Sequence, residues 1–168
     1  HNVVFDKTCN NIIDVYSNSE TASKIQIVNA DGKILQDVFE DKNPLKDYKL
    51  GETSVFTIKA KDGSDLYCRM IKPANFDPNK KYPAIIYVYG GPHAQLVTNS
   101  WLSGAGLFLN FLAQQGYVVF TLDNHGSANR GFAFESIIYR NCGKYEMEDQ
   151  MLGVDYLKSQ SFVDANRI

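Results

Sequence analysis

The residues from Tyr82 to Gln95 read YPAIIYVYGGPHAQ. A dense apolar run ends on Tyr89, and Gly90, Gly91 and Pro92 follow at once. A phenol in that place can donate a hydrogen bond to an oxyanion as it develops. The glycines let the backbone turn away with no side chain in the path. The same residues also fit a plainer role, an amphipathic tyrosine that closes a buried strand before a structural turn.

Other chemistry-bearing residues are scattered. DNHGSANRG, from Asp123 to Gly131, places His125 and Ser127 two positions apart. Residues that close in a loop rarely converge as nucleophile and base, and no G-x-S-x-G surrounds Ser127. Gly126, Asn129 and Gly131 lack the spacing of a phosphate cradle, so the stretch reads as a loop of turn formers. His93 reads as a solvated loop histidine. Glu148 and Asp149 fit the first turn of a helix, where carboxylates complement the helix dipole. Cys9, Cys68 and Cys142 form no C-x-x-C and have no histidine at zinc spacing. No metal or cofactor is implied. The chain holds one catalytic accessory, Tyr89, and no complete catalytic set.

The elements that would carry these residues change character along the chain. Residues 1 to 41 read as short antiparallel strands at Ile12 to Asn18, Ser23 to Asn29 and Lys33 to Glu40, with a hairpin signal at Asp31-Gly32. Three such strands need more sheet to bury a core. DKNPLKDYKLGE, residues 41 to 52, reads as a linker. Two alternating strands follow, Ser54 to Ala60 and Asp65 to Pro73, joined at Asp62-Gly63. From Tyr82 the pattern is that of strands apolar on both faces (Tyr82 to Tyr89 and Tyr117 to Asp123) separated by helices. One helix is expected from Leu102 to Gly116. A second is expected from Tyr145 to Gln160, with Met147, Met151, Val154 and Leu157 as its buried stripe. Alternation of strand and helix predicts an α/β fold with a parallel sheet.

Composition narrows the partners. The 168 residues are 44% hydrophobic with a net charge of -2, which favours neither nucleic acid nor an anionic membrane. The apolar runs fall far short of the ~20 residues a membrane helix needs. The chain opens on His1-Asn2 rather than methionine, and is expected to be an internal piece of a longer protein.

Three separated motifs, YPAIIYVYGGPHAQ, GYVVFTLDNHGSANRG and EMEDQMLGVDYL…FVDANRI, in that order resemble the prolyl oligopeptidase family of serine peptidases, and within it the bacterial dipeptidyl peptidase IV group. The resemblance implies a mixed fold. Residues 1–50 would be the last part of a β-propeller and a linker. Residues 51–168 would be the N-terminal half of an α/β-hydrolase domain, a three-layer α/β sandwich, ending before the nucleophile elbow.

It implies an exopeptidase that releases Xaa-Pro or Xaa-Ala dipeptides from substrates with a free N-terminus. The Ser-Asp-His triad would lie beyond Ile168, and the amine-binding glutamates before His1. This stretch alone would be inactive. Only Tyr89 carries over as a functional residue, as the oxyanion-hole phenol. A periplasmic, secreted or membrane-associated parent and a homodimer are compatible with the resemblance. A related acylaminoacyl peptidase or oligopeptidase, or a non-catalytic module with a hydrolase-like fold, are the alternatives. One position departs from the family pattern: His125 stands where an arginine is usual, which puts any ion pair of that arginine in doubt.

Overall fold

The computed structural model describes residues 1–168. By its contacts the chain divides into two units. The first comprises His1–Tyr48 and Asn99–Gly104. It holds strands β1 (Asn2–Phe5), β2 (Asn11–Tyr16), β3 (Lys24–Asn29) and β4 (Ile34–Glu40), antiparallel and in that order. The expected strands are present, and β1 adds a fourth that sequence reading left out. The sheet is open, not a closed propeller. Asn29 builds the β3–β4 hairpin: its side-chain oxygen accepts the N–H groups of Asp31 (3.1 Å) and Lys33 (2.8 Å). Gly32 supplies the positive φ of 80° that the turn needs.

The second unit comprises Lys49–Thr98 and Ala105–Ile168. Its sheet contains β5 (Thr53–Lys59), β6 (Asp65–Ile71), β7 (Ala84–Ile86) and β8 (Val118–Asp123) in the order β5-β6-β8-β7. The β5–β6 and β6–β8 pairs are antiparallel and β7–β8 is parallel, so the sheet is mixed. Leu66, Cys68 and Met70 of β6 and Val118, Phe120 and Leu122 of β8 join one buried cluster. Strand alternation turns Val119 and Thr121 to the opposite face. Helix α1 (Leu107–Gln114) contacts β6 and β8. It stops at Gly116, whose φ of 92° suits a glycine terminator. Helix α2 (Phe132–Ser136) was not foreseen. Helix α3 spans Tyr145–Ser159.

Three expectations need correction. The helix expected from Leu102 begins only at Leu107. Leu102 and Ser103 take φ of 56° and 54° in a 3-10 turn over Trp101–Gly104, which ends the helical path, and this turn belongs to the first unit.

The strand expected to reach Tyr89 is assigned only to Ile86, although the Tyr87 N–H still donates to Phe120 O at 2.8 Å. The next carbonyl in register, Leu122 O, is taken by Gln150 Nε2 at 3.1 Å. Val88 and Tyr89 lie outside the sheet.

The expected stripe of α3 is buried only at Leu157, with Val154 partly covered: Met147 and Met151 are exposed, and the inward face carries Glu146, Asp149 and Gly153 beside Leu157. Gly153 explains the reversal. A Cβ there would stand 2.9 Å from Phe120 Cε1, so only glycine permits this approach of helix to sheet.

Candidate functional site

Tyr89 stands just past the carboxyl end of β7, where ligands gather on open α/β sheets. It is 64% exposed. The backbone reverses at Gly90, with φ of 74°. A Cβ on Gly91 would lie 2.8 Å from Tyr89 Cε1, so the glycine leaves room for the phenol ring beside the turn. The two glycines thus have separate duties, one for backbone conformation and one for the ring.

The chain after Tyr89 is tied down at several points. The His93 N–H donates to Gly126 O at 3.0 Å, and the His93 imidazole pairs with Glu135. Ala128 N–H reaches Ala94 O at 3.4 Å, and Asn129 Nδ2 donates to Gln95 Oε1 at 2.7 Å. Leu96 is held from both sides. Its N–H donates to Asp123 Oδ1 at 2.8 Å, and its carbonyl accepts from Arg69 Nη1 at 2.7 Å. Val97 N–H donates to the second oxygen of Asp123 at 3.0 Å. Arg69 is 1% exposed and also donates through Nη2 to Thr121 Oγ1.

Burial pushes the Asp123 carboxyl upward while the Leu96 and Val97 N–H groups pull it back. Burial pulls Arg69 downward, opposed by Asp123. Each charge is thus the partial compensation for burying the other.

The stretch after Asp123 is a loop of turns, as expected, but Asp123 to Ser127 is buried throughout. Ser127 Oγ donates to Asn124 O at 2.7 Å, which closes the turn and leaves no contact with His125 as nucleophile and base. Gly126, at φ of 93°, presses against Ile138, whose Cδ1 would be 2.4 Å from a Cβ.

His125 turns inward. Its backbone N–H donates to Asp149 Oδ2 at 2.8 Å, and its Nδ1 lies 2.7 Å from the same oxygen. Its Nε2 lies 3.3 Å from Asp62 Oδ2. Its ring stacks on Phe134 at 4.3 Å between centroids. The partner left open at position 125 is therefore Asp149. That carboxylate is a buried anchor and not only a first-turn dipole residue. Glu146 does serve the helix start, accepting the Gly143 N–H at 2.9 Å. His93 is exposed as expected, apart from its Glu135 partner.

Sequence reasoning missed Asp149, Arg69 and Asp123 as braces of the Tyr89 turn. One usable signal was Gly153, since a mid-helix glycine marks the face that approaches another element. Asp149 lies four residues before it on that face. No group of histidines, cysteines and carboxylates has the arrangement of a metal site.

The parallel-paired strand thus hands its chain to an exposed phenol at the edge of the sheet, ahead of a braced segment. Comparison with known proteins places the chain in a family. Residues 106–168 match the prolyl oligopeptidase family. The whole chain aligns with dipeptidyl peptidase 8 of Mus musculus at 33% identity over 179 residues, and spans 20% of that protein. It superposes on a crystal structure from Bacteroides ovatus assigned as a dipeptidyl aminopeptidase IV, with a TM-score of 0.97 and 44% identity. That match covers 100% of this chain and 24% of the other. Dipeptidyl peptidase 4 of Porphyromonas gingivalis gives a TM-score of 0.89 at 27% identity, over 99% of this chain and 24% of the other. The chain belongs to the prolyl oligopeptidase family. It spans about a fifth of the length of the curated relatives it matches. No helix is long and apolar enough to cross a membrane.

Proposed function

We propose that this chain is part of a serine exopeptidase of the dipeptidyl peptidase IV kind. Residues 1–50 form the end of a β-propeller and its linker, and residues 51–168 the first part of an α/β-hydrolase domain. The substrate is a peptide with a free N-terminus. The reaction is acyl transfer: a serine outside this chain attacks the scissile carbonyl, with a histidine as proton carrier and an aspartate to orient it. Tyr89 is the group this chain contributes. Its phenol donates to the carbonyl oxygen as negative charge develops there. The expected setting is periplasmic, secreted or membrane-associated.

The observation that carries this reading is the Tyr89 turn. An exposed phenol sits on a glycine pair at the carboxyl end of β7, and the chain after it is fixed by Gly126, Asp123 and Arg69. A donor held in advance needs little reorganisation at the moment of reaction, which is what makes such hydrogen bonds effective.

The test is made on the protein expressed from the full gene. It is expected to hydrolyse a Gly-Pro chromogenic amide. Tyr89→Phe is expected to lower kcat by about 10²–10³, the scale of losing one oxyanion donor. KM should move little, because the bond matters mainly in the transition state. Near-wild-type kcat in the variant, or no peptidase activity in the full protein, would overturn the reading. The 168-residue chain alone is expected to be inactive.

A further inference from the structure

We infer that His125 is a cationic positioning residue for the Tyr89 turn, and that the hold it exerts is lost as pH rises. This rests on Tyr89 acting as the oxyanion donor.

The first observation is that both ring nitrogens face carboxylate oxygens. Nδ1 is 2.7 Å from Asp149 Oδ2 and Nε2 is 3.3 Å from Asp62 Oδ2. A carboxylate can only accept hydrogen bonds. Neutral imidazole has one N–H and would aim the other nitrogen's lone pair at an oxygen. The doubly protonated ring satisfies both contacts at once.

The surroundings agree with a cation. Asp149 and Tyr145 face the ring from α3, and Asp62 faces it from the β5–β6 turn. Asp65 and Arg130 line the same small cavity of about 380 Å³. The Arg130 guanidinium lies over the Phe134 ring at 4.4 Å, and Glu148, next to Asp149, is paired with Lys61. The side chain of His125 is only 5% exposed, so little of the ring is solvated directly.

The second observation is the path to Tyr89. Asp149 fixes both the ring and the backbone N–H of His125. Gly126 is the next residue, and its carbonyl accepts the His93 N–H at 3.0 Å. His93 closes the Gly90-Gly91-Pro92 turn. Residues 90 to 93 thus connect the Gly126 contact to the phenol-bearing residue.

When the ring loses a proton, one nitrogen must face a carboxylate with a lone pair. Asp62 is the half-exposed partner at the longer distance, so that contact breaks first and the Asp149 bond persists. The His125 ring then loses one of its two carboxylate anchors. The consequence falls on kcat, since a slightly displaced donor weakens transition-state binding more than substrate binding.

The sign of this effect separates it from the triad. The base histidine of a serine peptidase must be neutral to accept a proton, so it gives an acid limb. His125 gives an alkaline one. An arginine at this position would stay charged through the working range.

Two measurements test the inference. In nitrogen-15 spectra of the full-length enzyme labelled at histidine, at about pH 6, both His125 ring nitrogens should carry protons, with one proton leaving as pH rises. In the full-length enzyme, kcat should fall on the alkaline side. His125→Arg should abolish that limb while retaining activity, and His125→Asn should lower kcat about 10- to 100-fold at every pH. A singly protonated ring at about pH 6, or an alkaline limb that persists in His125→Arg, would overturn it. Tyr89→Phe in the same series keeps the two readings apart. If it leaves kcat unchanged, the oxyanion role fails. If it lowers kcat while the His125→Arg limb persists, only the positioning role fails.

Discussion

Asp149 accepts twice from His125 through one oxygen, from the backbone N–H at 2.8 Å and from ring Nδ1 at 2.7 Å. Both side chains are 5% exposed. A buried pair of this kind is costly to break from one side, because the survivor keeps its desolvation penalty and loses its partner. Asp149→Ala is therefore expected to destabilise the chain by about 3–5 kcal/mol. Denaturant unfolding of the full-length protein, wild type against variant, reads this. A loss below about 1 kcal/mol would show the pair to be no stronger than a surface contact.

Asp62, the other partner of His125, predicts a weak and pH-limited contribution. Its carboxyl is held below the usual 3.8, first by the Ser64 backbone N–H, then by the Ser64 hydroxyl, with a smaller part from His125. A carboxylate with a lowered pKa stabilises the fold above its ordinary value and loses that contribution as pH falls through the lowered one. The stability difference between wild type and Asp62→Ala should therefore be constant from about pH 4.5 to 6 and shrink on further acidification. Since the side chain is 51% exposed, the plateau should be below about 1 kcal/mol. A difference that grows as pH falls from 4.5 would contradict the assignment.

Gly153 reverses the usual rule for glycine in a helix. Replacing an interior glycine by alanine ordinarily stabilises a helix by about 1 kcal/mol. Here the new methyl would meet Phe120 Cε1 at 2.9 Å and Leu122 Cδ1 at 3.3 Å. Both neighbours belong to the buried cluster and cannot yield freely. Gly153→Ala should therefore destabilise by about 1–3 kcal/mol, the range for overpacking a filled core. A raised melting temperature would show that α3 can move away from β8.

The cysteines should sort by burial. Cys68 is fully buried in β6, and burial pushes its thiol up to about 12. Its Sγ points to Leu66 O at 3.5 Å. Cys9 and Cys142 are exposed. The thiolate is the reactive form, so a disulfide reagent at neutral pH should titrate two thiols in the native chain and the third only on unfolding. Rapid reaction of all three would mean that β6 opens under native conditions.

What sequence reading captured and what it missed divides along a physical line. The strands β2, β3, β4, β5, β6 and β8 and the hairpin turns at Gly32 and Gly63 are local properties of pattern and backbone freedom, and they were legible. The inward face of α3 was not. Its methionines offered an apolar stripe, but which face is covered depends on the Phe120 and Leu122 side chains that Gly153 admits. The end of β7 was misplaced for a similar reason. Past Ile86 the chain turns toward loops contributed by distant segments, with the His93 N–H on Gly126 O and the Leu96 N–H on Asp123. Tyr89 stood out because its turn chemistry is local. Arg69, Asp123 and Asp149, which brace that turn, are brought together only by the sheet and were invisible as a set.

The first unit leads to the last prediction. Val3, Val4 and Phe5 of β1 and Ile34, Leu35, Val38 and Phe39 of β4 are 47% to 57% exposed. β1 and β4 are also the two edges of their sheet, so each offers unpaired backbone groups beside apolar side chains. In the second unit β7 is an edge as well. Its outer side receives only partial cover, through Ala84 N–H to Arg167 O at 2.9 Å and the parallel bridge of Tyr82 with Val163. Ile86 and Val88 then line an open apolar cleft with Met147, Met151 and Val154. Edges of this kind recruit other strands, and apolar patches recruit other surfaces. The isolated 168-residue chain is therefore expected to self-associate at micromolar concentration and to unfold over a broad temperature range. Charge should not prevent this, because a net charge of -2 gives little mutual repulsion. Sedimentation velocity across a concentration series, paired with thermal unfolding, provides the check. A single monomeric species with one sharp transition would mean that these edges and side chains are covered in solution.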